Sequence, residues 1–170
     1  MSLILTGNSS SLTVDSTNGI TFPYGSNAQV APSKVLQVVT NTSNTTVTTT
    51  SASFVTSGLT CSITPLFATS KILILVNAEG YMGSSTQSMA FTVYRGTTSG
   101  TNLGDGTWGF GGSFSASAAI NASVGINYLD SPATTSSTTY TLALRSEAGG
   151  SASYCINGQK GVMTLLEIAA

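Results

Sequence analysis

The sequence predicts an all-β fold built as an antiparallel sandwich or barrel, and three observations lead to this prediction. Thr, Val, Ile, Gly and Tyr, the residues that build strands and turns, are abundant. Short apolar segments recur about every ten residues with Gly-, Ser- and Asn-rich stretches between them. Helix signals are nearly absent: the best candidate, residues 116–122, is diluted by Ser, Asn and Gly.

The first 33 residues contain three short apolar segments, at residues 3–5, 12–14 and 20–22. Asn18 and Gly19 form a tight-turn signal between the last two. Because three very short strands make a poor independent core, we expect residues 1–33 to be an arm that lies against the main domain, a sister chain or a partner.

From residue 34 to residue 170 the sequence predicts a sustained series of strands. The first ones lie at residues 35–40, 47–50, 61–63 and 89–94. Residues 72–76 are continuously apolar, which predicts a central strand that is covered on both faces.

Three further strands are predicted at residues 126–129, 140–144 and 162–168. Tyr140, Leu142 and Leu144 alternate with smaller residues, as in a strand with one buried face. The last strand is apolar on both faces, so we expect one face to fill the core and the other to meet a second copy of the chain.

The composition argues against catalysis and nucleic-acid binding. The chain has no His and only 6% charged residues, whereas proton transfer and metal binding draw on titratable side chains. We therefore expect no enzymatic activity, no catalytic residue, no metal and no cofactor. The basic residues that a nucleic-acid surface would need are scattered along the chain: Lys34, Lys71, Arg95, Arg145 and Lys160.

A net charge of −1 leaves little electrostatic repulsion between copies. Either the many hydroxyls and amides keep the chain soluble, or the protein is normally packed against copies of itself or a larger assembly. Cys61 and Cys155 are too few for a disulfide framework, and we expect free buried thiols, although one bridge is an alternative. No segment resembles a membrane span or a secretory signal, so we expect no membrane partner. Either the protein is made without a secretory step, which the starting Met favours, or a leader has been removed.

Several segments resemble bacteriophage fibre and virion structural proteins. They are FTVYRGTT at 91–98, NLG at 102–104, YLDSP at 128–132, TTYTL at 138–142 and TLLEI at 164–168, preceded by LTVDSTNGITFP at 12–23. The resemblance implies a jelly roll of the C1q and tumour-necrosis-factor type over residues 34–170, usually a tight homotrimer. Because the chain carries no long shaft, the resemblance favours a capsid decoration or cement protein, or a short head fibre, over a tail fibre.

The resemblance also suggests roles for individual residues. The protein would reside in the virion, assembled in a bacterial cytoplasm, with the major capsid protein or another virion protein as its partner. The residues expected in core or trimer packing are Val162, Leu165, Leu166, Ile168, Tyr140 and Leu142. Those expected in the attachment arm are Leu12, Val14, Ile20 and Phe22.

Two alternative functions remain open at the sequence level. Trp108 and Phe110, on a Gly-rich loop, suggest an aromatic platform for a host-surface glycan at the tip of a tail fibre, with Tyr81 as a further candidate. The competing interpretation is a loop that packs its rings against neighbours, with Asp105 in a turn. A Thr array at residues 45–50 suggests ice or surface binding, although its spacing is irregular.

Overall fold

The computed structural model describes the backbone of residues 3–7, 10–15 and 19–21, and residues 35–83, 86–147 and 150–169 with their side chains. The chain divides into two compact units, Met1–Lys34 and Val35–Ala170. The first unit contains β1 (Leu3–Gly7), β2 (Ser10–Asp15) and β3 (Gly19–Thr21), which form an antiparallel sheet in the order β1-β2-β3. The three predicted short segments therefore form strands, whereas Asn18 and Phe22 lie outside the described residues.

The second unit is formed almost entirely by strands. They are β4 (Val35–Ser43), β5 (Val47–Thr49), β6 (Val55–Ile63), β7 (Lys71–Met82), β8 (Gln87–Arg95), β9 (Thr101–Asn102), β10 (Gly111–Ser115), β11 (Ile120–Asp130), β12 (Thr138–Ser146), β13 (Ala152–Tyr154) and β14 (Gly161–Ile168). One 3₁₀ turn, Ile156–Gly158, is the only helical element among the described residues. The helix candidate at 116–122 is wrong, because residues 120–122 begin β11 and pair with β7.

These strands form two antiparallel sheets with jelly-roll topology. The β14 sheet has the order β4-β14-β7-β11, and β13 and β5 extend it beside the second half of β7. The β12 sheet has the order β6-β12-β8-β10, with β9 also pairing with β8. The eight main strands, in chain order, are β4, β6, β7, β8, β10, β11, β12 and β14. The first, eighth, third and sixth of these form one sheet, and the second, seventh, fourth and fifth form the other. This is the nested arrangement of a jelly roll. The predicted fold class is confirmed.

The core lies between the two sheets because alternate residues of each strand point inward. Ile72, Ile74 and Val76 of β7 face Leu142 and Leu144 of β12, and each is at most 5% exposed. Burying an aliphatic side chain of this size contributes about 1.5–3 kcal/mol. Cys61 and Cys155 belong to this core and are free thiols, as the sequence predicted.

The prediction that residues 72–76 are covered on both faces is wrong for the single chain. The strand is central, with β14 on one side and β11 on the other. Ile72, Ile74 and Val76 are buried, but Leu73 and Leu75 point to the opposite face and are only half-buried. The apolar run thus reflects two faces with different surroundings, of which the chain itself covers one.

Candidate functional site

The outer face of the β14 sheet, which points away from the core, carries a continuous line of large apolar side chains. The strand registers place Val38, Leu166, Leu73 and Leu129 next to one another, one from each of β4, β14, β7 and β11. We call these four residues the apolar row. Val38 is 58% exposed and Leu129 is 46% exposed, while Leu166 and Leu73 are half-buried. Such a contiguous exposed patch is typical of an interaction site.

Along the strands, the side chains of this face change from apolar to polar. Towards the end of β14, Ile168 pairs with Val35 and extends the apolar surface. In the other direction Thr40 and Thr164 pair, and their hydroxyl oxygens are 3.1 Å apart. Beyond them Gly125 leaves a shallow cavity of about 330 Å³, whose walls include Leu75, Asn77, Asn127, Val162 and Thr164. The face therefore has an apolar half and a polar half with a depression.

Among the described strand residues of this face, the charged side chains lie at the two ends of β7. Lys71 lies at the start of β7 and is exposed. Glu79 lies near the other end, where Gln159 Nε2 donates a hydrogen bond of 3.1 Å to its Oε1. Burial raises the pKa of Glu79. Between these ends, the apolar row and the hydroxyl pair offer a surface without charge.

The centre of the outer face of the β12 sheet is covered by the chain itself. Thr92 and Ala143 point outward from β8 and β12, yet neither is exposed. The loop before β6 folds over this face: Phe54 packs edge-on against Tyr94 at 6.3 Å between ring centroids, and the Arg145 guanidinium lies 5.8 Å from the Phe54 ring centre. At the edge of the same face, Phe114 of β10 lies opposite Ser88 and remains 61% exposed.

Ion pairs support the β12 sheet at two places. Arg145 binds Glu147 on the outer face. Arg95 Nε lies 2.9 Å from Asp130 Oδ2, and the Tyr140 hydroxyl donates to the same oxygen at 2.7 Å. Burial, followed by this hydrogen bond, raises the pKa of Tyr140. The Asp130 contacts were not predicted because its segment was interpreted only as a strand end.

Glu167 is a buried carboxylate that fixes the loop between β6 and β7. Gln37 Nε2 donates to its Oε2 at 2.6 Å, and the backbone N–H groups of Leu66 and Phe67 donate to its Oε1 at 2.8 and 3.3 Å. Burial would raise the pKa of Glu167, but these hydrogen bonds outweigh it and hold the pKa below its ordinary value. The loop thereby presents Leu66 and Phe67 to solvent.

The Gly-rich loop before β10 separates its two aromatic rings. Asp105 Oδ1 accepts hydrogen bonds of 2.8 Å from the N–H groups of Thr107 and Trp108, which lower its pKa and make the predicted turn. Trp108 remains 46% exposed, whereas Phe110 packs on Tyr128 with 5.2 Å between ring centroids. The two rings thus do not share one exposed platform.

The residues predicted for packing lie in two places, the core and the outer face of the β14 sheet. Tyr140, Leu142 and Leu165 are fully buried in the core. Val162, Leu166 and Ile168 lie on the outer face of the β14 sheet. Leu12, Val14 and Ile20 belong to β2 and β3 of the first unit, and Phe22 lies outside the described residues. Val38, Leu73 and Leu129 were not predicted from the sequence, because strand register is needed to bring them together.

The described residues hold no cluster of three or more His, Cys, Asp or Glu side chains that could bind a metal ion. Within the same residues, no helix has the length and hydropathy needed to cross a lipid bilayer.

Comparisons with known proteins give structural similarity at low identity. No protein-family model matches the chain, and no curated protein sequence matches it. The VP2 subviral particle of infectious bursal disease virus is similar with a TM-score of 0.43 and 14% identity, over 94% of this chain and 48% of that one. The T=1 particles derived from the same virus give 0.42 and 13%, over 94% and 46%. This chain spans about half the length of these proteins, and its jelly-roll assignment rests on its own strand pairing.

Proposed function

We propose that this protein is a structural component of a bacteriophage particle, a homotrimer that decorates or cements the capsid or forms a short head fibre. The observation that carries the proposal is the apolar row on the outer face of the β14 sheet. The proposed role needs burial of complementary surface and no catalysis.

Self-association is supported by the contrast between the two outer faces. The β12 sheet has part of its outer face covered by Phe54 and Arg145, and Phe114, on its edge strand β10, stays exposed. The apolar row leaves large side chains in water, where each would gain from burial at about 25 cal/mol per Å². A second copy is a suitable partner because the middle of the face has no charge and the chain has a net charge of only −1.

The assignment to a phage particle rests on the sequence resemblance at residues 91–98, 128–142 and 164–168. In this proposal the β sandwich forms the trimer, and residues 1–33 attach it to the major capsid protein or to another virion protein. Closed rings of identical copies are the common outcome when one surface of a protein meets a different surface of its neighbour.

The self-association is tested by sedimentation velocity of the full chain between about 0.1 and 100 µM. We expect a trimer for the natural sequence and a folded monomer for Leu166→Asp, because a charge in the centre of the apolar row loses its hydration on association. Ser62→Asp is the matched control, since Ser62 is exposed on the β12 sheet and the variant should remain trimeric. A natural chain that sediments as a monomer throughout this range would contradict the trimer.

The place on the particle is tested by cryo-electron microscopy of intact virions that contain the chain. We expect density for a threefold jelly roll on the outer surface of the capsid, joined to it by the N-terminal segment. Density at the tip of a tail fibre would contradict the decoration role and support receptor binding.

A glycan-binding tip is a second candidate, favoured by the exposure of Trp108 on a loop fixed by Asp105. The structure pairs Phe110 with Tyr128 instead, so this candidate rests on Trp108 alone. Glycan-array binding that is lost in Trp108→Ala would support it, with Phe114→Ala, another exposed aromatic, as the control.

A further inference from the structure

The free edges of the two main sheets differ in how well they are guarded against pairing with another strand. The edge strand β4 has an irregular register near Val35, and β6 has a register shift with Gly58 at a φ of +80°. The edge strands β10 and β5 have only five and three residues. Short length and bulges are common protections of sheet edges. The edge strand β11 has neither: its eleven residues pair with β7 in one uninterrupted register.

The sequence of β11 does not guard this edge either. Residues 120–129 contain no charged residue and no Pro. Every second residue of an edge strand directs its N–H and C=O groups away from the sheet. Among the residues described with side chains, no hydrogen bond is made by β11 on the side opposite β7. The β11 edge therefore presents a row of unpaired backbone groups that matches an added strand.

A cavity lies beside this edge and would receive the side chains of an added strand. It measures about 180 Å³ and opens between β10 and β11. Met89, Phe91 and Phe110 line it together with Val124 and Ile126. Alternate side chains of a strand next to β11 would point towards this opening, because successive residues of a strand face opposite sides. The edge and the cavity together select an extended, uncharged segment with apolar side chains.

We infer that the β11 edge binds the β1 segment, Leu3–Gly7, of a neighbouring copy, so that the neighbour's strand extends the β14 sheet. β1 has the required chemistry, since it is uncharged and begins with three consecutive apolar residues. Within its own unit it lies at a sheet edge and pairs only with β2. The inference rests on the proposed self-association, which brings a second copy close, but it uses a different surface from the apolar row.

The length of chain between the two units allows this exchange. Residues 22–34 separate β3 from β4. An extended chain spans about 3.3 Å per residue, so this segment reaches up to about 43 Å. That distance exceeds the width of a four-stranded sheet, about 19 Å at 4.8 Å per strand. The segment is therefore long enough to span more than the width of one sheet.

Hydrogen exchange of the full-length protein, measured by NMR at the amides of β11, tests this inference. We expect the β11 amides that point away from β7 to exchange at least tenfold more slowly in the trimer than in a monomer obtained by dilution or by Leu166→Asp. Leu5→Asp should abolish this protection while sedimentation still shows a trimer, because a charge on β1 opposes its docking beside the cavity. Thr21→Asp places the same charge on β3 and should leave the protection unchanged.

Every other outcome of these experiments contradicts the inference, and each outcome can be told apart from the rest. A trimer whose outward β11 amides are unprotected shows that the edge is empty, and the proposed trimer survives. Protection that persists in Leu5→Asp identifies another occupant, and loss in both Leu5→Asp and Thr21→Asp removes the assignment to β1. Protection that persists in the monomer and disappears in Leu5→Asp assigns the edge to the segment of the same chain. A natural chain that is monomeric throughout contradicts the proposed function itself.

Discussion

The outer faces of the two sheets differ in composition and in accessibility. On the β12 sheet, Thr92 and Ala143 are as inaccessible as core residues, and the loop at residues 102–109 lies against Thr92. On the β14 sheet, Val38 and Leu129 stay largely exposed, since none of the described loops covers them. A jelly roll that leaves a row of apolar side chains uncovered on one outer face has a built-in direction for association.

The difference in accessibility arises from where the loops lie as well as from strand composition. Residues 51–54 turn back across the β12 sheet, and the N–H of Ser146 donates to the Ser51 carbonyl at 2.9 Å. At the end of the β14 sheet, the loop that carries Leu66 and Phe67 is tied to the inward-facing Glu167. It closes the end of the core and leaves the apolar row open. The positions of these loops and the composition of the strands together leave the apolar row available to a partner.

The largest effect is expected when a charge is placed on the buried face of β14 instead of on its outer face. Leu165 is fully buried and Leu166 lies in the apolar row. Leu165→Asp should prevent folding, because an unpaired charge in the core costs several kcal/mol, a large part of the stability of a domain. Circular dichroism and urea unfolding should show an unfolded chain, whereas Leu166→Asp should unfold within about 1 kcal/mol of the natural monomer. Equal damage in both variants would mean that the outer face is also core.

The next-largest effect is expected from replacing the carboxylate on the inner face of the same strand. Glu167→Gln should reduce the free energy of unfolding at pH 7 by about 1–3 kcal/mol, because hydrogen bonds to a charged group are the stronger ones. The pKa of Glu167 is lowered in the folded state. Its stabilisation is therefore complete above the ordinary Glu pKa of about 4.3 and is lost as the pH falls through the lower folded value.

Urea unfolding at a series of pH values from about 7 to 3 measures this contribution. The stability of the natural protein should fall more steeply with decreasing pH than that of Glu167→Gln. Parallel curves for the two proteins would show that Glu167 has the same pKa in the folded and unfolded chains.

A smaller effect is expected from uncovering the β12 sheet. Phe54→Ala removes the ring that packs on Tyr94 and lies against Arg145. Because Phe54 is half-buried, the loss of stability should be about 1–2 kcal/mol. Sedimentation should still give the same oligomer, as the change is on the opposite side from the apolar row. A changed oligomer would show that the β12 sheet takes part in association.

The fold class and several strand faces were accessible from the sequence because alternation is a local signal. Tyr140 and Leu142 follow it, and both lie in the core as predicted. The apolar row was not accessible, since Val38, Leu73, Leu129 and Leu166 are far apart in sequence and meet only through the register of three strand pairs. The partners of Glu167 were missed for a related reason: Gln37 and Leu66 come from distant segments.

The smallest effect is expected from changing two pairs of hydroxyl side chains, each of which lies across neighbouring strands of one sheet. Thr40 and Thr164 face each other across β4 and β14, next to the apolar row, and Ser62 and Thr139 do so across β6 and β12 at 2.8 Å. Thr164→Val and Thr139→Val should each change the monomer's stability by less than about 0.5 kcal/mol, because the pairs are near the surface. Thr164→Val widens the apolar row and should tighten association several-fold in sedimentation equilibrium. Thr139→Val should leave association unchanged, and tightening by both variants would show that added apolar area anywhere promotes association.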